Sequence, residues 1–213
     1  MNRNMNKEFS PKGQSRSEVS PNGVHPLFHP EWYRSANPDL SAHLATFEHY
    51  LAEGWRSLKS PHPLFCVDYY LKNRPDVRRA GTEPLQHFVS QGWREGSNPC
   101  ALFDVAFYLS QEPALHGLDP LTHFLVQGSS QGLKPNSDFN PVWYLETHLD
   151  AQETGEEALT HFVLYGQKEG RATCPGRLRQ WNDRPAARSP EPRPGRRARQ
   201  ARRTRPTRPM KSL

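Results

Sequence analysis

Aromatic residues recur with a long period between residues 25 and 175. Each copy of the pattern opens with a phenylalanine, and a tyrosine follows five positions later. The copies start 37, 38 and 36 residues apart. A period of this size predicts a repeat architecture, in which each unit buries its apolar face against its neighbours. The opening pairs are Phe28 with Tyr33, Phe65 with Tyr70, Phe103 with Tyr108, and Phe139 with Tyr144.

A second apolar element follows in every copy and carries one histidine and one glycine at equivalent places. The histidines are His49, His87, His123 and His161, and the glycines are Gly54, Gly92, Gly128 and Gly166. These landmarks divide the region into four units. Units 1 to 4 cover residues 25–61, 62–99, 100–136 and 137–175. Strands are disfavoured because apolar and polar residues do not alternate and proline or glycine interrupts nearly every run.

The first element of each unit is predicted to be a short helix. The residue after the phenylalanine can act as the N-cap, which places the tyrosine at N4, where the two rings form a hydrophobic staple. Asp104 and Asn140 are good caps, whereas His29 and Cys66 are poor ones and predict fraying. Proline disfavours helical geometry in the residue before it and therefore limits this helix to about two turns. The prolines concerned are Pro38, Pro75 and Pro113.

The second element opens with an acidic residue and a proline, Glu83 with Pro84 or Asp119 with Pro120. It closes at the recurring glycine, which is expected to take the left-handed conformation just past a helix end. We therefore predict an all-α array of four short two-helix repeats, each of about 37 residues.

Composition and charge restrict the fold to this middle region. The chain has 34% hydrophobic residues and a mean hydropathy of −0.88, which suits one modest domain with polar flanks. Residues 25–175 carry 11 basic and 18 acidic side chains, whereas residues 176–213 carry 13 basic and 2 acidic ones. Residues 1–24 and 176–213 are predicted to be disordered. No signal-peptide core or membrane-spanning run is present, which predicts a cytoplasmic protein.

The histidines are the strongest candidates for chemistry, but their spacing argues against a shared site. Successive helical units stack roughly 8–10 Å apart, too far for four registered rings to bind one metal ion. No carboxylate or cysteine is expected to recur at fixed spacing and complete a site in each unit. We predict a structural role, with each ring bonded to loop backbone or packed between helices. The alternative is a surface contact.

Other candidate sites also favour structural interpretations. Cys66, Cys100 and Cys174 form neither a CxxC pair nor an even, regular set, so they are predicted to be reduced fillers. The Gly-Trp-Arg runs predict helix ends, since a nucleotide-binding loop needs a preceding strand and grouped glycines. Alternatively, Trp55 and Trp93 are exposed and stack on a sugar. No catalytic residue, metal site or cofactor is predicted.

The unit resembles a repeat of bacterial proteins, approximately F-D-x-x-Y-Y-L-x-x-N-P-D-V, then P-L-x-H-Y/F, then G-W-x-E-G-R-x-P. The best copy runs from Phe65 to Pro99. Such repeats accompany glycosyltransferases of cell-surface polysaccharide synthesis, and they occur in some large secreted calcium-binding or adhesin-like proteins. The resemblance implies a module beside a catalytic domain. Only 38 residues follow the repeats here, too few for a nucleotide-sugar-binding domain, and the long repeat array and export signal of the secreted relatives are missing.

The basic C-terminal segment, residues 176–213, contains twelve arginines, one lysine and six prolines. It predicts an electrostatic arm for nucleic acid, anionic lipid or acidic glycan, whose affinity falls as salt rises. Out-of-frame translation of a GC-rich gene would yield a similar composition. The candidate polyanion contacts are Arg196, Arg197, Arg199, Arg202, Arg203, Arg205 and Arg208.

Three functions follow from these observations. The first is a non-catalytic helical-repeat module that binds a protein or glycan in a surface-polysaccharide glycosyltransferase system. The second is a truncated or frameshifted glycosyltransferase that lacks its catalytic domain. The third is a protein that associates with nucleic acid through its arginine-rich tail.

Overall fold

The computed structural model describes residues 25–41, 45–115 and 117–175. Within these ranges the regular structure is helical, and strand-like pairing is limited to isolated bridges. The predicted all-α class is therefore confirmed, as are the four repeated aromatic clusters. The predictions for residues 1–24 and 176–213 lie outside the described residues.

Each unit contains a seven-residue helix and, further along, a four-residue helix that continues as a π-helical segment. The α-helices are α1 (Pro30–Ala36) and α2 (Thr46–His49) in unit 1, α3 (Val67–Asn73), α4 (Pro75–Ala80) and α5 (Pro84–His87) in unit 2, α6 (Val105–Gln111) and α7 (Pro120–His123) in unit 3, and α8 (Pro141–Thr147), α9 (Leu149–Thr154) and α10 (Ala158–His161) in unit 4. The π-helical segments are π1 (Tyr50–Gly54), π2 (Phe88–Gly92), π3 (Phe124–Gly128) and π4 (Phe162–Gly166).

The strict two-helix repeat is wrong for units 2 and 4, which insert α4 and α9 between the two predicted elements. Pro75 ends α3 as predicted, but it also occupies the first position of α4, where its fixed φ suits a helix start. Both inserted helices end at a left-handed glycine, Gly81 with φ 64° and Gly155 with φ 71°. In the described parts of units 1 and 3 no such helix is present.

The predicted N-caps form in all four units, including the two weak ones. His29 Nδ1 accepts from the Trp32 amide at 3.2 Å, and Cys66 Sγ accepts from the Tyr69 amide at 3.5 Å. Asp104 Oδ1 makes the equivalent bond at 3.0 Å. The leading phenylalanine then packs on the N4 tyrosine, with ring centroids 5.2 to 5.4 Å apart, so the hydrophobic staple is confirmed.

The core is a row of aromatic rings that each unit supplies from both of its elements. In units 2 to 4 the phenylalanine that begins the π-helical segment meets the tyrosine edge to face, with centroids 5.8 to 6.0 Å apart. Tyr50 takes that place in unit 1. These large rings compensate for the short helices, because each aromatic side chain buries far more area than an aliphatic one.

Backbone hydrogen bonds connect the start of each unit to its end. The amide of the N-cap residue donates to a carbonyl close to the next unit, at 2.9 to 3.0 Å. The pairs are His29 to Pro61, Cys66 to Pro99, Asp104 to Pro135 and Asn140 to Thr173. The array is also curved, because His29 Nε2 in unit 1 lies 3.8 Å from Glu156 Oε1 in unit 4. The described helices are all too short or too polar to cross a membrane.

Candidate functional site: the tyrosine–histidine clusters

Every unit pairs its staple tyrosine with its own histidine through the hydroxyl and Nδ1. The atoms are close enough for a hydrogen bond, at 2.7 to 3.0 Å. The pairs are Tyr33 with His49, Tyr70 with His87, Tyr108 with His123, and Tyr144 with His161. The partner of each ring is thus a side chain of the first helix, whereas the sequence analysis expected a bond to loop backbone or packing between helices. Each histidine is bonded within its own unit.

Burial shifts the pKa values of these groups in the direction that keeps them uncharged. It raises the pKa of Tyr144 to about 12, and it raises that of Tyr33, next to the charge of Asp39, also to about 12. The pKa values of His87 and His161 are lowered, chiefly by burial. A general acid or base works best with a pKa near the operating pH. These shifts move the pKa values of both partners further from neutral pH, so both groups stay uncharged there. An uncharged pair of this kind suits a structural hydrogen bond.

The recurring glycines make room for the tyrosine hydroxyls, and the prediction of a left-handed conformation at these positions is wrong. A Cβ atom at Gly54, Gly92, Gly128 or Gly166 would lie only 2.0 to 2.3 Å from the hydroxyl oxygen. The amide that follows the glycine bonds to the carbonyl five residues earlier, which gives the wider turn of a π-helix. Glycine and the widened turn together allow the hydroxyl to reach the histidine.

The left-handed residue lies four positions after the recurring glycine. Three units have a glycine there, with φ of 67 to 80°, and unit 1 has Leu58, with φ of 59°. In units 2 to 4 a left-handed glycine therefore does end the turn, but four residues later than predicted. The three glycines are Gly96, Gly132 and Gly170.

A carboxylate recurs at fixed spacing in three of the four units, a pattern that the sequence prediction overlooked. Units 1, 2 and 4 have an aspartate eleven residues after the leading phenylalanine. The three residues are Asp39, Asp76 and Asp150. The pattern was readable in the N-P-D, R-P-D and H-L-D triplets, but the aspartate follows proline in only two of them and unit 3 has none.

A partly buried cation binds this aspartate in each of the three units. In unit 4 the guanidinium of Arg171 contacts Asp150 at 2.5 Å and Glu169 at 2.5 Å, while its side chain is only 17% exposed. The arginine also opposes the effect of burial on the pKa of Tyr144 through its charge and a hydrogen bond. The ion cluster therefore borders the tyrosine–histidine pair.

Unit 2 builds the same cluster from a different sequence position. Arg74 contacts Asp76 at 2.6 Å and Glu95 at 2.5 Å, and it donates to Ser97 Oγ at 2.8 Å. Arg74 lies nine residues after Phe65, whereas Arg171 lies five residues after the recurring glycine of its unit, at the place that Ser97 occupies in unit 2. The guanidinium holds the pKa of Asp76 at about 2.

We call the contacts that join the end of the first helix to the loop after the π-helical segment the closure of a unit. Units 1 and 3 build this closure from other groups. In unit 1 Lys59, aligned with Arg171, contacts Asp39 at 3.1 Å and donates to Asn37 Oδ1 at 2.9 Å. In unit 3 the aligned residue is Leu133, and Gln111 instead makes two hydrogen bonds to the backbone of Lys134, at 2.8 and 3.0 Å. Both arrangements join the end of the first helix to the loop after the π-helical segment.

The two predicted acidic caps, Glu83 and Asp119, form, and Glu157 is a third that was not predicted; Glu83 and Glu157 also bond to the preceding unit. Glu83 accepts from the amides of α5 and from the hydroxyl of Tyr50 in unit 1. Glu157 caps α10 and accepts from Ser129 Oγ of unit 3 at 2.6 Å. Asp119 caps α7, and burial raises its pKa. The second element of unit 1 begins at Ala45 without a side-chain cap.

The two tryptophans suggested for glycan contact are partly covered by arginine. Trp55 is 7% exposed, and the guanidinium of Arg56 lies 4.3 Å from its ring centroid. Trp93 is half-buried, and Arg94 lies 4.2 Å from its ring. Both are cation–π contacts. A sugar would have to displace the arginine to stack on the same face, and the glycan contact stays a prediction.

The clusters contain many polar groups but do not assemble a metal centre. Throughout the described ranges no three histidine, cysteine, aspartate or glutamate side chains come together in a way that could hold a metal ion. The arginines suggested for polyanion binding lie outside the described residues. Fold and clusters together define a helical-repeat protein. Comparison with protein-family models, curated proteins and solved structures finds no match to the chain.

Proposed function

We propose that the chain is a non-catalytic helical-repeat module that binds a protein or glycan beside glycosyltransferases of surface-polysaccharide synthesis. One observation carries the non-catalytic part: in all four units the histidine is bonded to a tyrosine of its own unit. Where burial shifts the pKa of a partner, it moves it away from the range useful for proton transfer. The link to glycosyltransferases rests on the resemblance of residues 65–99.

Unit 4 offers the surface best suited to a partner. Exposed apolar side chains are favoured at binding interfaces, where their burial contributes free energy. Three of the large hydrophobic side chains exposed in the described residues belong to this unit: Val142 at 41%, Leu149 at 65% and Tyr165 at 49%. Glu146 and Glu153 are exposed on the same unit and add negative charge.

The proposal is tested by binding and turnover with the same protein. The full chain is immobilised and exposed to surface polysaccharide and to detergent-free extract of the cell that produces it, and retained proteins are identified by mass spectrometry. We expect retention of the polysaccharide or of a polysaccharide glycosyltransferase. Nucleotide-sugar donors incubated with the free chain should show no hydrolysis or transfer.

A matched pair of surface variants makes this test specific. Leu149→Lys should weaken retention at least tenfold, whereas Val126→Lys, at an exposed position in unit 3, should leave it unchanged. Retention that is equal in both variants would reject the surface on unit 4. Donor turnover that disappears in Tyr144→Phe would overturn the non-catalytic function.

A second candidate function is favoured by the composition of the tail. Twelve arginines in residues 176–213 support salt-dependent binding of nucleic acid or another polyanion. DNA retention is compared at low and high salt for the full chain and for a chain ending at Pro175. Retention at low salt that requires the tail supports this function, and its absence at low salt rejects it.

The third candidate, a glycosyltransferase remnant, makes a prediction about DNA. Translation of the downstream DNA in the other two reading frames should reveal a nucleotide-sugar-binding domain. Its absence favours a self-standing module.

A further inference from the structure

The backbone bond that connects the two ends of each unit also brings two side chains face to face. Because the N-cap amide donates to a particular carbonyl, the residue after that carbonyl lies opposite the N-cap. The opposed pairs are His29 with His62, Cys66 with Cys100, Asp104 with Asn136, and Asn140 with Cys174. Cysteine occupies both positions of the pair in unit 2. The repeat therefore juxtaposes two cysteines that are far apart in sequence.

Unit 1 shows how side chains at these two positions are oriented. The His29 amide donates to the Pro61 carbonyl at 2.9 Å, and the rings of His29 and His62 lie side by side, with centroids 5.9 Å apart and planes tilted by 48°. Unit 2 has the same bond, from Cys66 to Pro99, at 3.0 Å. The equivalent backbone bond places the two cysteines next to each other, and Cys66 is close enough to contribute to the shift in the pKa of the Cys100 thiol.

The backbone separation also suits a disulfide. With standard bond lengths, a 3.0 Å bond from the Cys66 amide to the Pro99 carbonyl places the Cα atoms of Cys66 and Cys100 about 5–6.5 Å apart. Disulfides span Cα separations of about 4.4–6.8 Å. Both thiols are free in this structure, with Cys66 half-buried and Cys100 6% exposed.

We propose that Cys66 and Cys100 are a redox modification site, whose reversible disulfide fastens the start of α3 in unit 2 to the first residue of unit 3. This pairing is independent of the proposed binding function. The bond would enclose nearly all of unit 2, and a cross-link that closes a long loop restricts the unfolded chain.

The oxidant is a small-molecule disulfide such as oxidised glutathione. The half-buried Cys66 thiolate attacks one sulfur of the oxidant, whose S–S bond breaks and releases one thiolate with the electron pair. Cys100 then loses its proton to solvent, and its sulfur attacks Cys66 Sγ and expels the second thiolate. Two protein thiols are oxidised, and one small disulfide is reduced to two thiols.

The closing step should be slow at neutral pH. Burial, with a smaller contribution from the neighbouring Cys66, raises the pKa of the Cys100 thiol to about 12 against the lowering effect of backbone hydrogen bonds. Since the thiolate is the nucleophile, we expect a transient glutathione adduct on Cys66 that closes faster as pH rises from 7 to 9.

The test uses the folded full chain in oxidised glutathione, followed by intact mass and non-reducing peptide mapping. We expect a loss of two hydrogen atoms and a linked peptide pair that contains Cys66 and Cys100. Cys174→Ser should form the same link, and Cys66→Ser should not. A persistent adduct on Cys66 without closure at pH 9, or a link that involves Cys174, overturns the proposal.

Thermal unfolding gives a second readout that does not depend on trapping the bond. The oxidised chain should melt about 5–15 °C higher than the chain kept in dithiothreitol. The difference should persist in Cys174→Ser and vanish in Cys66→Ser. Equal melting temperatures in both redox states, with the link present by mass, would show that the bond does not stabilise the folded unit and would also reject the proposal.

Discussion

In unit 4 the guanidinium of Arg171 lies between Asp150 and Glu169, whereas Leu133 occupies the aligned place in unit 3. Unit 3 also lacks a helix equivalent to α9 in its described residues, and Gln111 bonds to loop backbone instead. Yet the aromatic cores of the two units coincide. The phenylalanine–tyrosine centroids are 5.2 Å apart in both, and the edge-to-face contacts measure 5.8 and 5.9 Å.

This comparison separates what the fold needs from what it tolerates. The ring cluster, the tyrosine–histidine bond and the glycine are constant because they interlock in three dimensions at close-packed distances. The closure of the unit faces solvent on one side, so an ion cluster and an amide–backbone pair both satisfy the same groups. The closure can therefore change between units while the core cannot.

The largest expected effect comes from the shared glycine. Gly128→Ala in unit 3 and Gly166→Ala in unit 4 place a methyl group 2.0 and 2.3 Å from a tyrosine hydroxyl. Each should lower the free energy of unfolding by about 3 kcal/mol, because overpacking displaces the ring or the π-helical turn. Urea denaturation measures the loss.

Removal of the hydroxyl gives the matched control. Tyr108→Phe in the Gly128→Ala background should recover part of the loss, with a coupling free energy of at least about 1 kcal/mol in a double-mutant cycle. Additive effects would show that the hydroxyl is not what the glycine accommodates.

The next effect distinguishes the two closures. Arg171→Met should lower the urea midpoint of unfolding, since it removes the cation that two exposed carboxylates share. Gln111→Leu in unit 3 should cost about 1 kcal/mol through lost hydrogen bonds.

Salt dependence of unfolding separates these two variants. One molar NaCl should narrow the difference between wild type and Arg171→Met, because screening weakens the ion pairs. It should leave the difference for Gln111→Leu unchanged. Equal salt responses would contradict the assignment of distinct closures.

A smaller, stabilising effect is expected where unit 1 departs from units 3 and 4. Leu58 has a φ of 59°, whereas the aligned Gly132 and Gly170 take left-handed backbone without a Cβ atom. Leu58→Gly should raise the free energy of unfolding by about 0.5–1 kcal/mol, since Leu58 is 41% exposed and loses little packing. Thermal unfolding measures the gain in stability. A lower melting temperature in Leu58→Gly would contradict the claim that the backbone at Leu58 is strained.

The smallest effects are two contributions to folding stability that depend on pH in opposite directions. Hydrogen bonding to Arg171 lowers the pKa of Asp150 in unit 4, whereas burial raises the pKa of Asp119 in unit 3. The Asp150 contribution is present above the ordinary aspartate pKa of about 3.9 and is lost as pH falls below it. The Asp119 contribution is present below that value and is lost as pH rises through its own raised pKa.

Substitution by asparagine isolates each contribution. Asp150→Asn should flatten the loss of stability below about pH 4. Asp119→Asn should make stability increase more, or decrease less, between about pH 4 and 7. Urea midpoints at a series of pH values measure both contributions. If the two variants changed the slope of stability against pH in the same direction relative to wild type, the assignment would be refuted.

Local patterns in the sequence correctly predicted the four repeated units and the start of the first helix in each. The phenylalanine, the cap and the tyrosine lie within six residues, and Glu83 caps α5 from the adjacent position, so short-range geometry is sufficient to predict them. The same locality explains the seven-residue first helices. Unit 4 shows its limit, since α8 ends at Thr147 without a following proline.

Contacts between distant residues were decided only by the tertiary structure. The sequence fixes which residues recur, but not that Gly92 meets the Tyr70 hydroxyl or that Arg74 and Arg171 deliver a guanidinium to equivalent places from different positions. Nor does spacing reveal that Cys66 lies opposite Cys100. These contacts depend on how the two elements of a unit pack and on the backbone bond that joins its ends, and neither is encoded in a local pattern.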